Sequence, residues 1–569
     1  MATLRARSRK LAAGLSALTC LLAASRAQAA DYYVAPTGND SNPGTLASPF
    51  ATIQKGHDAA SAGDTVWLRG GTYRVGKQLK LSKSGQSDSM RIKFFAYQGE
   101  KPVLDFASYV SPNSAADVEG VAITGSWLHL KGWEVKNVKM TGSGAHSNSG
   151  VRSRKASNNI YELLDIHHIM GPGLFIDGGN GGNLILNCDS HDNYDENGSQ
   201  GDGQNGDGFG VHYQESGPST IIRGCRAWWN SDDGYDFISQ EVPVITEHSW
   251  AQANGLANQG TKKPSSGNGN GFKAGSSKKG VRHLVRNCVA WKNTAAGFYA
   301  NHSSGGNTWH NNTSYDNGVA YNMLASSPDD ANVKITLTGD LVHIMRNNIG
   351  APNKNTNMEG VDTKSNTWDL SITAADGDFA STSDADCMGP RQENGALPAT
   401  DFLKLKPGSK LVDKGVDVGL DFVGAAPDLG AYELGADAPG GGSGGGGTAA
   451  GGSPGTVAEG GSPSAGTDAG GSNVGGTNAS GGTNASGDAN VGGTNASGGT
   501  NVAGAPSGDT GGSSAIGDSP LGSAGSATNG ADADAGCACA VVGQGARGSA
   551  ALLVAAAFGL LGLRRRATR

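Results

Sequence analysis

Between about residues 120 and 320 the chain repeats itself, and the repeat restricts the fold more than any other feature. Four segments align without gaps: Leu186-Asn-Cys-Asp-Ser-His-Asp-Asn193, Arg223-Gly-Cys-Arg-Ala-Trp-Trp-Asn230, Arg286-Asn-Cys-Val-Ala-Trp-Lys-Asn293 and His310-Asn-Asn-Thr-Ser-Tyr-Asp-Asn317. A short apolar stretch precedes each, such as Thr220-Ile-Ile222 or Leu284-Val285, and a fifth copy over 244–254 fits with a one-residue slip. A glycine followed by an aromatic comes after four of the terminal asparagines: Asp207-Gly-Phe-Gly210, Asp233-Gly-Tyr-Asp236, Asn270-Gly-Phe-Lys273 and Ala296-Gly-Phe-Tyr299. Asparagines 193, 230, 254, 293 and 317 thus alternate with glycines 208, 234, 271 and 297, and an uninterrupted copy runs 24 residues, as from Asn230 to Asn254.

Short strands, tight corners and a coil of this length describe a parallel β-helix, each coil stacking on the last at ~4.8 Å. The terminal asparagines are expected to form an internal ladder at one corner. Cys188, Cys225 and Cys288 fall in one column and read as small inward-facing residues rather than disulfide partners. Phe, Trp and Tyr are sparse, so the core is expected to rest on Val, Ile, Leu and polar stacks. Two coils carry insertions, 194–206 and 255–269, both between the ladder asparagine and the Gly-aromatic pair. Loops at the same corner of nearby coils build the walls of a groove. Residues 321–430 are read as finishing the helix and packing an extension onto it.

Composition divides the rest. Residues 1–30 carry Arg5, Arg7, Arg9 and Lys10, an apolar stretch and an Ala27-Gln-Ala29 cleavage site, which is a secretory signal peptide. Cys20 sits in a poor lipoprotein context. Residues 31–435 are the folded domain. Residues 436–535 lack Lys, Arg, Phe, Trp and Tyr and repeat Gly-Gly-Thr-Asn-Ala-Ser, so they cannot bury enough apolar surface to offset their ordering entropy. They read as a disordered tether. Residues 536–569 hold Cys537 and Cys539, an apolar run over 549–563 and Arg564-Arg-Arg566. This pattern resembles the C-terminal surface-sorting signals of myxobacterial exported proteins, which implies handling by a sorting protease and retention at the cell surface. An uncleaved anchor is the plainer alternative. The net charge of −7 argues against a nucleic-acid partner.

Register brings chemistry together. One column holds Asp207, Asp233, Asn270 and Ala296; three residues on lie Gly210, Asp236, Lys273 and Tyr299. Asp207 and Asp233 are expected one coil apart, as are Asp236 and Lys273, and Asp232 adds a fourth carboxylate. A single Asp-Gly is usually only a turn former. Four acids converging in a groove repel one another unless a cation sits among them, and hard oxygen donors favour Ca²⁺ over zinc. Lys273 could simply pair with Asp236. Burial, a bound cation and the basic cluster Lys262, Lys263, Lys278 and Lys279 would instead favour its neutral form, which is competent to remove a proton from carbon.

Asn205-Gly-Asp-Gly-Phe209, Asn230-Ser-Asp-Asp-Gly-Tyr-Asp236 and Gly269-Asn-Gly-Phe-Lys273 resemble the active-site segments of polysaccharide lyase family 9, the β-helical pectate lyases. The opening Tyr32-Tyr-Val-Ala-Pro-Thr-Gly-Asn39 and the closing Pro427-Asp-Leu-Gly-Ala-Tyr-Glu433 are shared more widely among exported β-helix proteins. The resemblance implies a right-handed parallel β-helix, Asp207, Asp232, Asp233 and Asp236 as Ca²⁺ ligands, and Lys273 as base. It also implies β-elimination on an acidic polysaccharide such as polygalacturonate. The signal peptide predicts a secreted protein, expected to be a monomer, and an alkaline optimum follows because protonated Lys273 cannot act as a base. Three other readings compete: a lyase on another uronan such as alginate, a β-helical glycoside hydrolase built on Asp232-Asp233, and a non-catalytic polysaccharide-binding adhesin. A hydrolase of this fold would also carry Gly-His-Gly, which is absent, and an adhesin has no use for a base at position 273.

Overall fold

The computed structural model describes residues 29–436 apart from 111–116, 141–147, 197, 199, 276–279 and 353. The expected signal peptide, tether and sorting segment therefore lie outside the described residues, as do Lys278 and Lys279. The described chain is a parallel β-helix. Three sheets run its length, all of their strand pairs parallel. Sheet 1 extends from Asp31–Val34 to Val361–Lys364, sheet 2 from Leu79–Leu81 to Asn355–Thr356, and sheet 3 from Gly71–Arg74 to Ile349–Ala351. Each coil passes through sheet 1, then sheet 3, then sheet 2, as in Ile160–Glu162, Asp165–His167 and Leu174–Asp177.

The reason is visible in single strands. In Ile160–Glu162 and Asp165–His167 only the central residue is buried, so a three-residue strand turns one side chain inward and two outward. The asparagine ladder forms as expected: Asn193 Nδ2 donates to Asn230 Oδ1 at 2.8 Å, Asn230 to Asn254 at 3.0 Å, Asn254 to Asn293 at 2.9 Å and Asn293 to Asn317 at 2.8 Å. The Gly of each Gly-aromatic pair belongs to the same device. A Cβ on Gly234 would lie 2.7 Å from Gly271 O and 2.8 Å from the Asn254 amide nitrogen, so the ladder leaves room only for hydrogen.

Three expectations meet different outcomes. The fifth copy needs no slip: Arg223 pairs with Glu247 and Arg226 with Trp250, the same offset that joins Asn230 to Asn254. The core does not rest on aliphatics alone. Phe209, Tyr235, Phe272, Phe298 and Tyr321 stack along the axis at centroid spacings of 5.2, 4.5, 5.1 and 5.0 Å, because the repeat puts the few aromatics in one column. Cys188, Cys225, Cys288 and Cys387 are buried free thiols, and Cys188 N donates to Cys225 Sγ at 3.4 Å. The first three form the expected column of small interior residues.

The helix ends are treated differently from its middle. Helix α1 (Ile53–Ala59), N-capped by the Thr52 hydroxyl, lies against the first strands, with Gly56 facing Val34 and Val66. At the other end Asn355–Thr356 is two residues long and Val361–Lys364 is only partly buried. The extension beyond 365 packs Phe379, Phe402, Leu405 and Leu429 against Trp250, Trp291 and Ile349 on the outer face of sheet 3. Arg391 pins it, its guanidinium meeting the Asp189 carboxylate at 2.6 and 3.1 Å beside Arg226.

Candidate active site

Sheet 2 presents the site on its outer face. Its cross-strand partners are Arg152, Phe175, Gly210, Asp236, Lys273 and Tyr299, one per coil. Asp236 and Lys273 are thus adjacent in register, as their sequence columns require.

The neighbouring column is a ladder of its own. Asp233 N donates to Asp207 Oδ1 at 3.1 Å, Asn270 N and Nδ2 donate to Asp233 Oδ1 at 2.8 and 2.9 Å, and Ala296 N donates to Asn270 Oδ1 at 3.1 Å. Each carboxylate uses one oxygen to hold the coil above it and turns the other toward the site. Asp232 Oδ1 accepts from Asn268 N at 2.6 Å. Asp207, Asp232 and Asp233 are all buried and bring donor oxygens within 4.8 Å of one another. Asp236 stands beside this trio. Lys273 Nζ lies 2.9 Å from Asp233 Oδ2 and 3.2 Å from Asp236 Oδ2, and His212 Nε2 is 3.6 Å from Asp236 Oδ2.

Burial pushes the carboxyls of Asp207 and Asp232 well above the ordinary aspartate range, and the other carboxylates add to it. Asp233 rises for the same reasons, with Lys273 opposing. Asp236 goes the other way: burial would raise it, but Lys273 and His212 hold it low. Of the surroundings expected to favour neutral Lys273, the protein's own side chains act in opposite senses. Burial does oppose its charge, yet Asp233, Asp236, Asp232 and Asp207 together hold the ammonium well above the ordinary lysine range. Lys262, of the basic cluster, is engaged in the groove wall. Its ammonium sits over the Tyr194 ring at 4.3 Å and 3.6 Å from Glu196, tying the wall together.

The two insertions form one wall. Asp202 of the first accepts from Ser265 N at 3.1 Å and Ser265 Oγ at 3.2 Å in the second, and Ser266 N donates to Asp202 O. Sequence reasoning missed His212, Phe175 and Arg152. The coils of Arg152 and Phe175 carry Gly150-Val-Arg152 and Gly173-Leu-Phe175, so a search for glycine followed by any large apolar residue would have extended the column toward the N-terminus, while His212 lies two residues beyond Gly210 in a coil already aligned.

Residues 32–348 match the family model described as Pel9A-like, right handed beta helix region. The chain is 34% identical over 411 residues to Pectate lyase L of Dickeya dadantii, covering 71% of this chain and 90% of that relative. A solved structure of pectate lyase Pel9A aligns with a TM-score of 0.61 at 32% identity, covering 72% of this chain and 97% of that one. A solved rhamnogalacturonan lyase aligns with a TM-score of 0.59 at 32% identity over 67% of this chain and 97% of its own.

Proposed function

Because the chain belongs to the Pel9A-like right-handed β-helix family and is a polysaccharide lyase, we propose that it cleaves polygalacturonate by calcium-dependent β-elimination with Lys273 as base. The observation that carries this reading is Lys273 Nζ placed 2.9 Å from Asp233 Oδ2, at the edge of three converging buried carboxylates. The residues fit a hard cation. All the donors are oxygens, and Asp236 Oδ1 is buried without a hydrogen-bond donor. Asp207, Asp232, Asp233 and Asp236 would hold it.

Calcium bound there would offset the carboxylate charge that keeps Lys273 protonated and would draw charge from the uronate carboxylate. Neutral Lys273 then takes the C5 proton of the sugar. The electron pair left on C5 forms the C4–C5 double bond as the C4–O bond breaks, the departing oxygen taking a proton from water, which gives a 4,5-unsaturated end. Asp236 steadies the ammonium that results, and the wall of 194–206 and 255–269 positions the chain of sugars along sheet 2. Because protonated Lys273 cannot accept a proton, activity should rise toward alkaline pH. The test is absorbance of unsaturated product on polygalacturonate, with calcium and with a chelator, for wild type and Lys273→Ala. Loss of roughly 10²–10⁴-fold is expected in the variant, the usual range for a general base. Undiminished product in the variant or in chelator rejects the reading.

A second substrate is favoured by the structural likeness to a rhamnogalacturonan lyase at 32% identity; the same assay on that polymer separates the two. Export and surface retention complete the proposal. They are tested by fractionating cells that express the full chain or a chain ending at residue 435, which should pass into the medium.

A further inference from the structure

Below the part of sheet 3 that the extension covers, its outer face carries a second cluster of metal-binding side chains. The strands Glu134–Lys136, Asp165–His167 and Asp189–His191 are successive coils, and their outward positions place Glu134 beside Asp165 and His167 between Lys136 and His191. Glu134, Asp165 and His167 bring donor atoms within 4.8 Å of one another. His167 Nε2 lies 3.3 Å from Glu134 Oε1, and its Nδ1 faces His168 Nδ1 at 2.6 Å. His191 is held between two acids, its Nε2 3.1 Å from Asp165 Oδ1 and its Nδ1 2.8 Å from Asp192 Oδ2. Stacking fixes these rings: His167 on His191 at 4.9 Å, and His191 on Trp228 at 4.0 Å.

The donors differ in kind from those in the groove. Imidazole nitrogen with carboxylate oxygen suits zinc and its neighbours, whereas calcium takes oxygen alone. Two imidazole nitrogens aimed at each other require a proton or a cation to reconcile them. A cavity of about 310 Å³ lined by His168, Asp192, Asn258 and Gln259 adjoins the cluster. Gln259 N donates to Asp192 Oδ1 at 3.1 Å, which joins this face to the wall loop 255–269. One cation already competes: Lys136 Nζ is 2.5 Å from Glu134 Oε1.

We propose that this face binds a zinc-class divalent ion through His167, Glu134 and Asp165, with the His191–Asp192 pair orienting Asp165 from behind. The ion takes the place of Lys136 on Glu134 on the outer face of sheet 3. It plays no part in the elimination.

The test is calorimetric titration of the calcium-loaded full-length protein with Zn²⁺. One equivalent should bind in wild type and in Asp232→Asn. It should weaken at least about tenfold in His167→Ala and in the milder His167→Gln. Removing the competitor with Lys136→Ala should tighten it. Cobalt in place of zinc should give a visible absorption band that disappears in the His167 variants, while their cleavage of polygalacturonate in calcium stays at the wild-type rate. Failure of wild type to bind, binding that survives both His167 variants, or weaker binding in Lys136→Ala overturns the proposal.

Discussion

At the scale of single residues, the pairing of Asp236 with Lys273 was legible because a β-helix converts sequence period into spatial adjacency. Their protonation was not. It depends on the sum of burial and four nearby carboxylates, and that sum needs side-chain positions rather than columns. A second buried acid shows the same physics without a cation to relieve it. Asp195, in the wall loop, accepts from Asn205 N at 3.0 Å and Asn205 Nδ2 at 3.2 Å, yet burial outweighs these bonds and raises its carboxyl to about 6. A folded-state value above the unfolded one means its contribution to stability is full below the ordinary value near 3.8. That contribution is lost as pH rises through about 6. Asp195→Asn should therefore raise the melting temperature at pH 8, by up to about 2–3 kcal/mol of stability, and leave it little changed at pH 4. Thermal melts of both proteins at the two pH values check this, and equal effects at both would refute the assignment.

At the scale of the repeating coil, the corner ladder and the Gly-aromatic pairs were legible as two separate signatures. That they are one packing unit was not, since nothing in the sequence says that the Asn254 amide fills the space a Gly234 side chain would need. Asn254 donates to Asn293 Oδ1 and to Ala227 O at 3.2 Å, and accepts from Asn230. Asn254→Ala leaves buried partners on two coils unmatched and should cost on the order of 3 kcal/mol, read by chemical denaturation. Gly234→Ala should lower stability as well, because its Cβ meets backbone that cannot retreat. The His167–His191–Trp228 stack was illegible for a related reason: the alignment of terminal motifs began one coil too late to include Asp165–His167.

At the scale of the whole molecule, the extension was foreseen only as a region and its docking face was not. Its irregular backbone carries no period, and its anchor is an ion pair between residues about 200 apart in the chain. Arg391→Ala should free the extension while Asp189 keeps Arg226 as a partner. Limited proteolysis should then cut within 365–436 at a rate that leaves the coils intact, and a protease-resistant extension in the variant would count against the clamp. The two ends of the solenoid carry a different consequence. A stack of parallel strands presents open backbone hydrogen-bonding groups at its first and last coil, and identical molecules could in principle add there without limit. Helix α1 closes one end, while the other dwindles to the two-residue Asn355–Thr356 and the half-solvated, charged Val361–Lys364. The described solenoid is thus a finite piece of a potential fibre, with a helix against one end and a short, charged last coil at the other.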